Sequence, residues 1–382
     1  MAERVAVAPA LLNWARQRAG LSRGDLAKFP LHAWESGELE PTFKQLTAFA
    51  KATHTPIGYL FLSEPPAEHL PIPDFRTVTN QRVGSATPDL LDVIYACEQR
   101  QDWYRSFAEA HGFEVVGIVG AHSLRDDPTA AAGELRETLG FALDHRAEYS
   151  NWTLALTGLI EHAEDAGVLV MVSGVVGSNT HRKLDPDEFR GFALADPLAP
   201  TIFVNGSDTK AAQIFTLAHE LAHLALGGSA VSSPDLGALD DADETERWCN
   251  RVAAELLVPA ASLTTAFQPN EDLTGELERL AKFYRVSTLV VLRRLADTNL
   301  MRRQEFQLAF PEELARVMAL ASERTPGGNF YNTTPVRVSK RFAKALIADT
   351  VEGRTSYRDA FRLLGSKKLA TFEELGQRLG VA

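Results

Sequence analysis

His219 and His223 stand four residues apart in His219-Glu220-Leu221-Ala222-His223, inside a run whose apolar residues recur at helical spacing. On a helix that spacing puts both imidazoles on one face, a turn apart, close enough to share one metal ion. Glu220, beside the first histidine, can then act as general base on a water held at the metal. The flanks agree with a helix. Lys210 to Ala218 carry the same periodicity, Ser207 or Asp208 can cap its start, and Gly227-Gly228 stand where a helix ends. The pattern is that of zinc hydrolase chemistry, with one Zn2+ per chain, and it requires a third protein ligand.

A second helix is expected from Asp243 to Val258, stopped by Pro259. Trp248, Val252 and Leu256 give it a core-facing stripe, while Glu246 and Asn250, also four apart, form a polar ridge. Glu246 is read as the third ligand and Asn250 as a group orienting a ligand or the substrate. Glu244 and Glu255 are further candidates for the third ligand.

These residues resemble the ImmA/IrrE metallopeptidases: His219-Glu220-x-x-His223, then Glu246-x-x-x-Asn250-x-x-Ala253-Ala254-x-Leu256-Leu257-x-Pro259. Pro71-Ile72-Pro73-Asp74-Phe75-Arg76-Thr77, Glu188-Phe189-Arg190-Gly191-Phe192-Ala193-Leu194 and Gly327-Gly328-Asn329-Phe330-Tyr331 are similar to segments of the longer, helix-turn-helix-fused members. By position the resemblance implies zinc at His219, His223 and Glu246 and a general base at Glu220. It also implies a regulated protease that cuts a small helix-turn-helix repressor and so derepresses stress, mobile-element or phage-defence genes. Position 249 departs from many relatives in being Cys. The implied fold is α+β and mostly helical: a zincin-like peptidase domain with a small sheet. An N-terminal helical helix-turn-helix-like module and a C-terminal α or α+β module flank it.

Length and composition fit several modules. With 382 residues, 45% of them hydrophobic, the chain can bury more than one core. The expected divisions are 1–65, a degenerate Xre-type helix-turn-helix module; 66–110, linker and helix; 111–300, the peptidase; and 301–382, a basic regulatory module. No apolar run approaches membrane-spanning length, Met1-Ala2-Glu3-Arg4 lacks a signal pattern, and Cys97 and Cys249 set no disulfide framework. A cytoplasmic protein is expected.

The first module resembles Xre-type domains in Leu11 to Arg16, in Ser22 as the cap of a helix carrying Leu26-Ala27, and in Trp34 to Gly37. Only ten residues run from Leu26 to Glu35, however, too few for the recognition helix that would enter a major groove. Residues 1–64 carry seven basic and six acidic side chains, a weak surface for phosphates. In the peptidase, Val168 to Val172 reads as a buried strand. Arg190–Ala195 and Pro200–Val204 read as a hairpin around Asp196-Pro197, and the second of these is the expected place for an extended substrate.

The net charge of −11 hides an asymmetry: Arg324 to Lys368 hold ten basic and three acidic residues. Arg337, Lys340, Arg341 and Lys344 are spaced as one helical face, with Val338, Phe342 and Ala345 on another, and Phe330 and Tyr331 stand just upstream. A cationic ridge beside aromatics suits single-stranded DNA, through phosphate contacts and base stacking, and such DNA is the expected activator after DNA damage or infection. Cys97, on an expected helix, is read as an inhibitory fourth zinc ligand, with a buried inert thiol as the alternative. The competing function is a non-catalytic DNA-binding regulator that uses the peptidase fold as a scaffold.

Overall fold

A computed structural model of the protein describes residues 4–68, 70–74, 77–78, 81–82, 86–232, 243–269, 272–322, 335–366 and 368–381. They fall into two compact units, one of Met1–Pro71 with Val83–Ile94, the other of Ile72–Arg82 with Tyr95–Ala382. The described residues of 301–382 fall in the second unit with those of 111–300. No helix among the described residues is long and apolar enough to cross a membrane.

In the first unit, Pro9 starts α1 (Pro9–Arg18), where a missing amide hydrogen costs nothing. Helix α2 is short (Leu31–Glu35), and α3 (Phe43–Ala52) begins with a capping box between Thr42 and Gln45. Phe29, Trp34 and Phe49 meet at centroid distances of 5.6–6.0 Å at the centre of its core. Ser22 caps no helix. Its amide and hydroxyl both bind Asp25, and residues 23–28 form successive turns. The two side chains satisfy each other locally, and Phe29 is drawn into the core instead of continuing a helix.

The second unit holds the later part of α4 (Pro88–Ala110), then α5 (Pro128–Leu139), α6 (Leu143–Glu148) and α7 (Trp152–Asp165). Asp127 and Asn151 cap α5 and α7 with their side chains. A two-residue hairpin pairs β1 (Thr77–Val78) with β2 (Gln81–Arg82). The main sheet comprises β3 (Leu169–Ser173), β4 (Gly191–Leu194), β5 (Thr201–Asn205) and β6 (Ala230–Ser232), in the order β3-β5-β4-β6. Strands β3 and β5 run parallel and the other pairs antiparallel. Strand β5 is buried at every residue, as its continuous apolar run requires of an interior strand.

Helices α8 (Lys210–Ala225) and α9 (Glu244–Leu257) pack against the sheet and each other within one core, with α5, α7, α11 (Leu273–Tyr284) and α12 (Thr288–Asp297) around them. Helices α10 (Ala260–Ala266) and α13 (Arg303–Ser322) complete this region. A second core joins Tyr104 and Ala108 of α4 and Leu169 of β3 to α14 (Lys340–Val351), α15 (Tyr357–Leu364) and α16 (Leu369–Leu379).

Candidate metal centre

Helix α8 starts one residue after the expected caps: the Thr209 hydroxyl accepts from the Ala212 amide at 3.2 Å. It runs unbroken through the histidines and ends before Gly227, whose φ of 72° is open to glycine. His219, Glu220 and His223 are all fully buried on it. Helix α9, capped by Asp243, brings Glu246 to the same point. His219 Nε2 lies 3.0 Å from His223 Nε2 and 3.2 Å from Glu246 Oε2, and His223 Nε2 lies 2.9 Å from Glu246 Oε1.

This donor set fits a zinc ion. Two imidazole nitrogens and a carboxylate are standard zinc ligands, and four-coordinate zinc with bonds of about 2.0–2.1 Å sets its ligand atoms about 3.3 Å apart. Glu246 Oε1 is buried and lacks a proper donor despite its closeness to His223, as expected of atoms converging on one point. Among the described residues no other three His, Cys, Asp or Glu side chains bring ligand atoms within 4.8 Å of one another. His219 Nδ1 finds no acceptor among these residues.

The two carboxyls at the site have been driven apart. Burial pushes Glu220 up to about 8, against the pull of His223 and of the Ser232 hydroxyl. Burial would raise Glu246 as well, but the imidazoles, His219 foremost, bring it down to about 2. Burial and neighbouring groups thus push the two carboxyls in opposite directions.

Ser232 stands beside the cluster and was not singled out from the sequence. It ends the edge strand β6, and its hydroxyl donates to Glu220 Oε1, while Oε2 is buried without a donor. A serine in a three-residue strand gives no local signal, because the pairing spans the sheet and the helix. Gly191 on β4 makes room beside them: a Cβ there would lie 2.6 Å from Thr216 Cγ2, 2.9 Å from the Phe203 carbonyl oxygen and 3.0 Å from Glu220 Oε1.

Other expected residues divide. Asn250 sits one turn beyond Glu246 on the same face of α9, with Oδ1 buried and without a partner among the described residues. Glu244 is exposed, and Glu255 is a structural anion that pairs with Arg294 and accepts from the Ala260 amide. Cys97 is not brought to the cluster. Its Sγ is wholly buried 3.6 Å from Met171 Sδ, and burial pushes the thiol up to about 12, leaving an inert side chain rather than an inhibitory ligand. Strand β5, expected to receive substrate, is interior and has both edges paired. The edge strand beside the metal ligands is β6, and its Val231 amide already donates to the Pro73 carbonyl at 2.9 Å.

The expected cationic ridge does not form. Ser339, at φ 73°, breaks the chain between Arg337 and Lys340, so Arg337 lies outside α14. Lys340 pairs with Glu161 at 2.8 Å, Arg341 binds the Tyr104 hydroxyl at 2.8 Å and the Glu164 carbonyl at 3.0 Å, and Lys344 is exposed. Phe330 and Tyr331 lie outside the described residues.

Residues 163–296, about a third of the chain, match the family model described as the IrrE N-terminal-like domain. Residues 338–378 match a domain of unknown function. No curated protein matches the chain. The first match spans α8 and α9, which carry His219, His223 and Glu246, and supports the resemblance to the ImmA/IrrE metallopeptidases over this part of the chain.

Proposed function

We propose that the protein is a zinc endopeptidase that cleaves a partner transcriptional repressor, a small helix-turn-helix protein, and so derepresses stress or defence genes. The observation that carries the peptidase reading is the convergence of His219, His223 and Glu246 within 3.2 Å of one another beside a buried Glu220. Zinc, when bound there, supplies Lewis acidity towards a peptide carbonyl. On this reading Glu220 Oε2, buried and without a donor among the described residues, would take the proton of the attacking water, while Ser232 holds the other oxygen.

The choice of a repressor as substrate rests on the resemblance to ImmA/IrrE proteins. The alternative, a DNA-reading regulator on a dead scaffold, has little support from the first unit, whose α2 has five residues and offers no recognition helix. Activation by single-stranded DNA has lost its main physical support with the broken ridge. The test incubates the zinc-loaded protein with the repressor encoded beside it and follows the repressor on a gel. Cleavage by the wild type and none by Glu220→Gln at equal zinc content supports the reading; an intact repressor in both sinks it.

A further inference from the structure

A cavity of about 590 Å³ lies away from the metal centre, between α7, the end of β3, the start of α8 and residues 336–340. Two glycine loops form part of its wall. The Gly206 amide donates to the Ser173 carbonyl at 2.9 Å, and a Cβ on Gly206 would lie 2.8 Å from the Gly174 nitrogen, so backbone runs against backbone there. These loops follow β3 and β5, the two parallel strands, at their carboxyl ends, where open sheets with parallel strands commonly bind ligands.

The charges lining it are of one sign. Lys210, Arg337 and Lys340 face the cavity and no carboxylate does, among the described residues, although the chain as a whole carries −11. Lys210 is half-buried and, among the described residues, bonds the neutral Gln213 amide oxygen at 3.0 Å, and burial lowers its ammonium. Arg337 is half-buried, with no acidic partner among the described residues. Burial and the neighbouring Arg100 guanidinium both lower it. Arg100 itself is buried and bonded to the Leu363 carbonyl and Met171 Sδ rather than to an acid. Lys340 pairs with Glu161 at 2.8 Å. Arg337 and Lys210, partly desolvated and without a counter-charge among the described residues, are costly there unless an anion completes the set.

Apolar groups make up the rest of the wall, Leu156, Ile160 and Val172 among them, and Thr153 and Thr180 add hydroxyls. Size, apolar walls and a few convergent polar groups are the features of a small-molecule site. We propose that this cavity binds a small phosphorylated organic molecule of mononucleotide size, its phosphate held by Arg337, Lys210 and Lys340 and its ring against the apolar wall. Guanidinium and ammonium groups together suit a dianionic phosphate. Lys210 is the first residue of α8 and His219 lies nine residues on, about 14 Å along the helix axis. Binding here therefore leaves the metal ligands untouched and is measured without any cleavage, so this inference stands or falls apart from the peptidase reading.

The test is calorimetric titration of the full-length, zinc-loaded protein with adenosine monophosphate, inorganic phosphate, adenosine and a single-stranded oligonucleotide. Adenosine monophosphate is expected to bind, phosphate more weakly and adenosine not detectably. Arg337→Gln and Lys210→Gln should each weaken the nucleotide by about tenfold or more, the loss of one charge-assisted contact. Both variants should keep their zinc, and the unliganded proteins should melt no lower than wild type, because each substitution removes an uncompensated charge. Absence of binding by both adenosine monophosphate and phosphate at millimolar concentration overturns the proposal, as does undiminished nucleotide affinity in both variants. Binding of the oligonucleotide alone also overturns it, in favour of a polymer-binding surface.

Discussion

Ser232 donates its hydroxyl hydrogen to Glu220 Oε1, tying the edge strand of the sheet to the acid between His219 and His223. The bond leaves Oε2 as the oxygen free to accept a proton. Ser232→Ala should therefore lower kcat by about 10–100-fold with KM and zinc content unchanged, the usual loss when a group that orients a site residue is removed. Ser232→Thr should restore most of the rate. A Ser232→Ala enzyme with wild-type kcat would remove the serine from the mechanism.

The ligands and the base should separate cleanly. His219→Ala, His223→Ala and Glu246→Ala are each expected to lose zinc and activity together, while Glu220→Gln keeps zinc and loses cleavage. Because the ion binds the folded state, chelation should also lower the melting temperature of the wild type, and zinc should restore it. Full zinc occupancy in Glu246→Ala, measured by metal analysis, would contradict the third-ligand assignment.

Gly191 tests the packing beneath the acid. A methyl group there meets Thr216, the Phe203 carbonyl and Glu220 within 3.0 Å, and the carbonyl cannot move without breaking the β4–β5 pairing. Gly191→Ala should cost about 1–3 kcal/mol in denaturant unfolding, typical of overpacking, and should lower activity beyond that by displacing Glu220. Unchanged stability would mean that β4 has room to shift.

Cys97 is expected to be silent. Cys97→Ser should leave basal proteolysis unchanged, and neither Cys97 nor Cys249 should react with a thiol reagent in the native protein, since both are buried with raised pKa values. Rapid modification of Cys97 in the folded, zinc-loaded protein would revive a thiol switch.

The outer edge of β6 offers a further measurement. A substrate adding there as a strand must displace Pro73 from the Val231 amide. Replacing Ile72-Pro73-Asp74 with a flexible Gly-Ser segment should lower KM for a repressor peptide several-fold with kcat unchanged. An unaltered KM would place substrate elsewhere.

Much of the candidate metal centre could be read from the residues because its information is local. His219, Glu220 and His223 share one helix, where a spacing of four dictates a common face; Glu246 and Asn250 repeat the pattern on the next, and proline, glycine and caps mark their ends. The β4–β5 hairpin around Asp196-Pro197 was legible for the same reason. Tertiary structure decided everything that depends on residues distant in sequence. Ser232 reaches Glu220 only once the sheet has placed β6 beside α8, and Cys97 is led to Met171 rather than to the metal by the packing of α4 on β3. The helical spacing of Arg337, Lys340, Arg341 and Lys344 came to nothing because Ser339 takes a positive φ and bonds Glu164, breaking the helix that the periodicity implied. Periodicity sets which faces a helix would have, whereas the contacts that end a helix, bury a thiol or gather cations around a cavity belong to the folded chain.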